Sequence, residues 1–179
     1  MTHKVYVGES AINGHGVFAQ VAFAAGDHVL AIDDSRVVDD EHPLRPELDE
    51  HEHHCDYLSD GRVVLMPLPE RQINHSCDPN TYVRTLDGTR IVIARRAIQP
   101  HEEITYDYAI NGEGGVAWDC HCGSSRCRGA ETWADYFKLP RDLQIEYYPL
   151  LDDWFRQQYA ARIAAANAGA CSRAAVDPC

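Results

Sequence analysis

The feature that most restricts the fold is a series of short, β-branched segments interrupted by turn residues. Asp87-Gly88 lies between Thr81–Leu86 and Thr89–Ala94 and predicts a tight hairpin, because Asp-Gly suits turns in which both central residues have positive φ. A second pair, Asp60-Gly61, precedes another such segment. Further strands are predicted at Val5–Val7, Val17–Ala19, Val29–Ile32, 62–66 and Glu103–Tyr108. The first two-thirds of the chain is therefore expected to form a compact fold of small β-sheets.

Two segments depart from this β pattern. His42–His54 is strongly polar, contains two prolines and predicts an inserted loop or short helix. Beyond about residue 130, apolar residues recur at helical spacing from Leu143 to Tyr159. Pro149 interrupts this stretch and cannot lie inside one continuous helix, so a helix to about Tyr147 and a second from about Pro149 are predicted. The apolar face packs against the β core or, alternatively, forms a dimer contact.

The charge of the chain restricts its partners. The 179 residues suffice for one domain with a core and carry a net charge of −12. Nucleic-acid binders usually have a basic surplus, so direct nucleic-acid binding is not expected. An acidic surface attracts a cationic partner such as a lysine-rich peptide, although the charge can equally serve solubility alone.

No apolar run approaches the roughly 20 residues of a membrane span, and no secretory signal is visible. An intracellular protein, cytoplasmic or nuclear, without a membrane partner is expected.

Cysteines mark a predicted metal site. Seven are present, and three of them, Cys120, Cys122 and Cys127, have C-x-C-x4-C spacing. Three thiols are one short of the four ligands of a structural zinc ion. Cys77, in the segment INHSCDPN, is the obvious candidate for the fourth ligand. His121 is a rival, but it lies between two ligands and its ring would tend to point away from a metal that they share.

Two further motifs are informative only in combination. Gly14 and Gly16 flank His15, and a G-x-G segment lets a backbone approach a ligand closely. No third glycine opens a helix afterwards, so this is not a dinucleotide fingerprint. In EEITYDY, Tyr106 and Tyr108 would point to one face of a strand and could line a slot for an aliphatic stem with a polar head. Taken alone, the tyrosines fit an ordinary aromatic strand.

The order of these motifs resembles that of the SET-domain family of protein lysine methyltransferases, over roughly Lys4 to Ala130. The resemblance implies a mainly β fold with some α structure, in which small sheets are joined by a knot-like passage. It also implies a SET domain at 4–116 and a zinc-binding post-SET segment at 117–130. Outside it, we predict a C-terminal helical extension at 131–167 and a disordered tail at 168–179. His101 replaces a glycine that often precedes the paired glutamates, and a cysteine-rich pre-SET segment is absent.

The resemblance also implies roles for individual residues. Tyr108 matches the catalytic tyrosine, and Tyr106 matches the position that limits how many methyl groups are transferred. The positions that match the S-adenosylmethionine site are Gly14, His15, Gly16, Arg71, Asn74, His75 and His121. The positions that match the zinc ligands are Cys77, Cys120, Cys122 and Cys127.

The implied activity is methyl transfer to lysine in a basic protein or peptide, with histones as one candidate class. The hydroxyl of Tyr106 leaves less room for added methyl groups, so mainly mono-methylation is expected. The alternative is a catalytically silent zinc module that binds basic peptides. The presence of both tyrosines together with the glycine and Asn-His motifs argues against that alternative.

Overall fold

The computed structural model describes residues 4–171, and residues 166–171 of these by their backbone alone. The strands are β1 Val5–Glu9, β2 His15–Ala19, β3 His28–Ala31, β4 Val37–Val38, β5 Cys55–Tyr57, β6 Val63–Leu65, β7 Asn74–His75, β8 Thr81–Leu86, β9 Thr89–Ala94, β10 Glu103–Tyr106, β11 Ala117–Trp118 and β12 Thr132–Trp133. The α-helices are α1 Arg141–Tyr147, α2 Asp153–Gln158 and α3 Ala160–Cys171. Short 3-10 turns lie at Pro46–Leu48, Glu52–His54, Glu70–Gln72, Tyr136–Lys138 and Tyr148–Leu150.

The strands form small sheets, as the sequence predicted. The largest has the order β1-β2-β10-β7, two others have the orders β3-β9-β8 and β4-β6-β5, and β11 pairs with β12. All pairs are antiparallel except β10 with β7. The β8–β9 hairpin turns at Asp87 and Gly88, whose φ angles are 48° and 78°. Both angles are positive, as a primed hairpin turn requires, so this prediction is confirmed.

The parallel pair determines where the functional motifs meet. Thr105 lies opposite Asn74 and Tyr106 lies opposite His75, so the Asn-His motif runs alongside the tyrosine strand. β10 ends at Tyr106, two residues before the predicted end of that strand, and Tyr108 follows in a turn. The mainly β fold with C-terminal helices is confirmed, whereas the knot-like passage and the domain boundaries stay predictions. In residues 4–171, no helix is long and apolar enough to cross a membrane.

The apolar residues form two clusters. One joins the sheets through buried residues that include Val17, Ile73, Val92 and Ile104. The other packs the C-terminal helices against the two residues that follow the tyrosines; it consists of Ala109, Ile110, Tyr136, Leu139, Leu143, Tyr147, Leu151, Phe155 and Ile163. Full burial of one large apolar side chain contributes about 1.5–3 kcal/mol, so this second cluster fixes the helices to the β core. The predicted packing face is therefore used within the chain.

The prediction that the second C-terminal helix begins at about Pro149 is wrong. Pro149 lies in the 3-10 turn Tyr148–Leu150, and α2 begins only at Asp153. Asp152 explains the later start, because its carboxylate accepts hydrogen bonds from the backbone N–H groups of Trp154 at 3.4 Å and Thr85 at 2.6 Å. A capping carboxylate satisfies a free N–H group in the first turn of a helix. The last helix, α3, extends into the predicted tail as far as residue 171, and the remainder of that tail lies outside the described residues.

Candidate functional site

Four thiols that are distant in sequence converge at one point. The sulfur atoms of Cys77, Cys120, Cys122 and Cys127 all lie within 4.8 Å of one another, and those of Cys77 and Cys120 are 3.7 Å apart. None of the four is in a disulfide. Four sulfur ligands at this separation fit the tetrahedral set that structural metal sites use, so the cluster can hold a metal ion. His121, the rival fourth ligand, is outside the cluster: its side chain is 78% exposed and lies 3.7 Å from Asp119.

Local backbone bonds shape the segment that carries three of these thiols. The N–H of Cys120 donates to the carbonyl of Gly129 at 3.0 Å, and that of Cys127 donates to Ser124 at 3.0 Å. These bonds close residues 120–129 into a compact loop, which we call the cysteine loop. The N–H of Arg128 in this loop donates to the sulfur of Cys77 at 3.3 Å. Such N–H groups stabilise a thiolate, as outer contacts of metal ligands commonly do.

The thiols differ in how readily they ionise. Burial raises the pKa of Cys77, and burial is also the main reason that the pKa of Cys120 rises to about 11. Burial acts in the same direction on Cys122, but N–H groups of Cys77 and Ser124 and the neighbouring thiols outweigh it and lower its pKa to about 7. A cysteine binds a metal ion strongly as the thiolate and not as the protonated thiol. A bound cation and deprotonation of the buried thiols would therefore favour each other.

His75 connects the thiols with the tyrosines. Its side chain is 5% exposed, and its Nδ1 accepts a hydrogen bond from the N–H of Tyr108 at 3.2 Å. The proton of the neutral ring therefore resides on Nε2, which lies 3.3 Å from the sulfur of Cys77 and can donate to it. Burial lowers the pKa of His75 to about 4. The ring is thus neutral near pH 7 and links Cys77 with the backbone of Tyr108.

A buried ion pair forms a second link between the cysteine loop and the tyrosine strand. Asp107, between the two tyrosines, is fully buried and accepts two hydrogen bonds from the guanidinium of Arg128, at 2.6 and 2.9 Å. Burial opposes the charge of Arg128, but the Asp107 carboxylate outweighs it and raises the pKa of Arg128. Bidentate pairs of this kind fix orientation as well as charge. The position of Asp107 next to Tyr108 therefore depends on the loop that carries the thiols.

The two tyrosines lie side by side. Their ring centroids are 5.0 Å apart, and the hydroxyl of Tyr108 donates to the carbonyl of Ile73 at 2.9 Å. Burial raises the pKa of Tyr108 to about 12 and raises that of Tyr106 well above its usual value. Both phenols are therefore neutral at physiological pH. Because the Tyr108 proton is directed to Ile73, the lone pairs of its oxygen remain available to accept a hydrogen bond.

The G-x-G segment approaches the Asn-His motif from β2. The side-chain amide of Asn74 donates to the carbonyl of His15 at 2.9 Å and to the carboxylate of Glu103 at 2.8 Å. A Cβ on Gly16 would collide with that carboxylate, whereas one on Gly14 would meet none of the described residues within 4 Å. Gly14 also has a φ of 45°, a left-handed conformation that side chains disfavour. Gly16 thus permits close packing, and the backbone at Gly14 is open to a ligand.

The remaining predicted cofactor residues differ in their surroundings. Arg71 belongs to the turn Glu70–Gln72, which packs against β2. Its side chain is 13% exposed, and one guanidinium nitrogen lies 3.4 Å from Asp49. The Nε of Arg71 is buried and has no hydrogen-bond partner among residues 4–165, so a donor is free for an anionic group. His121 stands at the surface of the cysteine loop. The cofactor roles of these residues stay predictions.

The sequence alone did not predict several residues at this site. The indole of Trp118 packs edge-on against the ring of His75, with centroids 4.9 Å apart, and lies 5.7 Å from that of Tyr108. Ser10 donates to both carboxylate oxygens of Glu103, at 2.8 and 2.9 Å. No spacing rule pairs residues so far apart in the chain. The Asp107–Arg128 pair had a weak signal, because each charge directly adjoins a residue with a predicted role.

Comparison with known proteins identifies the family. The family model of the SET domain matches residues 14–109, more than half of the chain. A histone-lysine N-methyltransferase of Oryza sativa subsp. japonica, TRX1, is 33% identical over 146 residues, which cover 70% of this chain and 13% of the relative. Ash1 of Drosophila melanogaster, another histone-lysine N-methyltransferase, is 33% identical over 134 residues, or 67% of this chain and 6% of the relative. The Arabidopsis thaliana relative ATX1, a histone H3-lysine(4) N-trimethyltransferase, is 32% identical over 145 residues, or 70% of this chain and 13% of the relative.

The chain thus spans only a small part of these curated relatives. A crystal structure of a Plasmodium falciparum protein described as a putative histone methyltransferase aligns with a TM-score of 0.48 and 24% identity, covering 60% of this chain and 95% of that one. The match to the family model, over more than half of the chain, is sufficient by itself. The chain belongs to the SET domain family.

Proposed function

We propose that the protein transfers a methyl group from S-adenosylmethionine to the side-chain amine of a lysine in a protein substrate. The observation that carries this proposal is the position of the Tyr108 phenol. It lies beside Tyr106, is hydrogen-bonded to Ile73 and adjoins the buried ring of His75. The names of the relatives support the same reaction class, since they are histone-lysine methyltransferases.

The tyrosines would act by orienting the amine rather than by removing its proton. Free lysine has a pKa of about 10.4 and is almost fully charged at pH 7, whereas only the neutral amine is nucleophilic. Tyr108 stays protonated because burial raises its pKa to about 12, so its phenolate is not a base here. Desolvation in a narrow slot favours the neutral amine. The oxygen of Tyr108 can then accept an N–H of that amine and direct its lone pair.

The cofactor supplies a methyl group on a positively charged sulfur, ready for in-line displacement. The chain would hold it with the backbone of Gly14–Gly16 and with Asn74, His75, Arg71 and His121. Two observations fit this role: the backbone is open at Gly14, and the buried Nε of Arg71 has no partner among residues 4–165. Correct alignment of two reactants can contribute about 7–11 kcal/mol to a barrier, so the rigidity of this cradle matters.

We propose that the metal ion is a single Zn²⁺ held by the four cysteines. Four protein thiolates leave no open coordination position, so the ion would be structural. Its role would be to fasten the segment 117–130 to Cys77, and thereby to hold Trp118 of that segment against His75 beside the tyrosines. From the order of the motifs we propose a SET domain at 4–116 and a zinc-binding segment at 117–130. The helical extension predicted at 131–167 continues beyond 167, because α3 ends at residue 171.

The residue at position 106 bears on how many methyl groups the product lysine receives. A tyrosine rather than a phenylalanine at position 106 adds a hydroxyl to the slot, which leaves less room for a methylated amine. Mainly mono-methylation is therefore proposed. The relative ATX1 is named a trimethyltransferase, so the product of this chain must be measured directly. Mostly trimethyl-lysine in the product mass spectrum would overturn this part of the proposal.

The substrate is proposed to be a basic, lysine-containing protein. The net charge of −12 favours a cationic peptide over a nucleic acid. Asp56 is close enough to raise the pKa of both tyrosines, although burial contributes more. Histones are one candidate class, which would require a nuclear location; other basic proteins are an equal alternative.

The test is incubation of the protein with labelled S-adenosylmethionine and an array of lysine peptides that includes histone tails. We expect label on lysine, a large loss of turnover in Tyr108→Phe, and unchanged cofactor binding in that variant by calorimetry. Tyr148→Phe is the control, because that ring is 43% exposed and outside the site. Peptide binding without turnover in the unmodified protein would instead favour the silent module.

A further inference from the structure

We infer that α1 acts as a clamp that holds the cysteine loop closed around its metal ion. The inference rests on the proposed metal site and assigns a role to residues beyond the family match, which ends at residue 109. It concerns two consecutive residues of α1, Glu146 and Tyr147, which contact different sides of the thiol cluster.

Glu146 binds the cysteine loop directly. Its two carboxylate oxygens accept hydrogen bonds from the guanidinium of Arg126, at 2.9 and 2.6 Å. Arg126 lies between Cys122 and Cys127, so this bond restrains the part of the loop that carries both thiols. Arg95, which directly follows β9, also bonds Glu146. The carboxylate therefore ties the loop to α1 and to the β8–β9 hairpin at once.

Tyr147 binds the other side of the cluster. Its side chain is fully buried, and its hydroxyl donates to the backbone carbonyl of Cys77 at 3.2 Å. The guanidinium of Arg95 lies over its ring, 5.4 Å from the centroid. One helical turn thus contacts the residue that supplies the isolated thiol and the loop that supplies the other three.

The clamp is anchored independently of the metal. Next to α1, the N–H of Thr85 donates to Asp152 at 2.6 Å, and the N–H of Asp152 donates to Asn111 at 2.7 Å. Leu143 and Tyr147 belong to the apolar cluster that includes Ala109. These contacts hold α1 against the β core whether or not the thiols bind an ion. An ion can leave only if the loop opens, so the clamp should slow its release.

The expected change in the rate of zinc release depends on how exposed the contacting side chains are. Arg126 and Glu146 are 36% and 35% exposed, so solvent screens the pair and reduces its energy. A bidentate, charge-assisted contact of this kind should change the release rate roughly three- to tenfold, since tenfold corresponds to about 1.4 kcal/mol. Loss of the Tyr147 hydroxyl removes one buried hydrogen bond and should have an effect of about fivefold, within the range of about 0.5–1.5 kcal/mol.

The experiment measures release of Zn²⁺ from the zinc-loaded 179-residue chain to a chromophoric chelator, together with hydrogen exchange of the amides in residues 120–129. Glu146→Gln and Tyr147→Phe should release zinc faster and exchange faster in the loop. Glu113→Gln is the matched control. Glu113 is 37% exposed and pairs with Arg162 at 2.6 Å, so it has similar exposure and an arginine partner, but that partner lies in α3 and not in the cysteine loop. Its release rate should equal that of the unmodified protein.

A second variant distinguishes loss of the Arg126–Glu146 pair from a general loss of stability. Arg126→Gln should also release zinc faster, but less so than Glu146→Gln, which in addition loses the bond to Arg95. The double variant should release zinc no faster than Glu146→Gln alone, because both changes remove the same Arg126–Glu146 contact. High salt should speed release from the unmodified protein more than release from Glu146→Gln, which retains only the pairs of Arg126 and Arg95 with Asp78. Equal release and exchange in all variants would refute the clamp while leaving the metal site intact. An unmodified protein that binds no zinc would refute the proposed metal site, and the clamp with it.

Discussion

The buried pair of Asp107 and Arg128 offers the sharpest test of how the cysteine loop supports the tyrosines. Arg128→Met removes the guanidinium but retains much of the side-chain volume. It leaves the carboxylate of Asp107, which is fully buried, with the N–H of Ala109 at 3.0 Å as its remaining hydrogen-bond donor among residues 4–165. The side chain of Arg128 is only 13% exposed, so solvent screening gives little compensation.

The expected loss in the free energy of unfolding can be calculated from the two hydrogen bonds between Arg128 and Asp107. Each hydrogen bond to a charged group contributes about 1.5–3 kcal/mol, so two give about 3–6 kcal/mol. Breaking one partner of a buried ion pair costs about 3–5 kcal/mol, which agrees. Against a typical total of about 5–15 kcal/mol, this is a large share of the free energy of unfolding. Arg128→Met should therefore be much less stable and should also lose activity, because Asp107 adjoins Tyr108.

The assay is urea unfolding at constant zinc concentration, with Asp107→Asn and the double variant beside Arg128→Met. The double variant should lose less than the sum of the single losses, because the second change removes an unpaired charge. Arg62→Gln is the control: Arg62 and its partner Asp60 are 50% and 53% exposed, and such pairs contribute only about 0–1 kcal/mol. A loss below about 1 kcal/mol in Arg128→Met, no larger than the control, would refute the reasoning.

Three further predictions follow from single residues. Gly16→Ala should displace the Glu103 carboxylate and weaken S-adenosylmethionine binding by calorimetry while the protein stays folded; unchanged affinity would contradict the proposed cradle. Glu50, held by two arginines, has its pKa lowered from 4.5 to about 2, so it stabilises the fold above pH 4.5 and this contribution is lost as the pH falls towards 2. Glu50→Gln should therefore be less stable at neutral pH and should lose less stability on acidification, as followed by circular dichroism. Cys127→Ser should lower the zinc content from one ion per chain, as measured by atomic absorption, and full retention would exclude Cys127 as a ligand.

Local features could be predicted from the sequence because their physical causes are local. Asp87-Gly88 predicts its hairpin since both residues tolerate positive φ, and the two angles of 48° and 78° agree. The failure at Pro149 shows the limit of such reasoning. Proline can begin a helical turn, but α2 starts at Asp153 because the Asp152 carboxylate caps it and also binds Thr85. That second bond depends on a strand 67 residues away.

The candidate site, too, has features that the sequence determined and others that only the tertiary structure decided. By itself, the sequence determined the residue types: three thiols at metal-ligand spacing, a fourth in the Asn-His motif, and two tyrosines near one another. Only the tertiary structure decided how they are joined, through His75 between Tyr108 and Cys77, the Asp107–Arg128 pair and the contact of Tyr147 with Cys77. The physical reason is that hydrogen bonds and ion pairs act over a few ångströms in space, whereas their partners here are separated by 2 to 70 residues in the chain. Short-range patterns record backbone preference and burial, but they carry no record of which distant residue completes a contact.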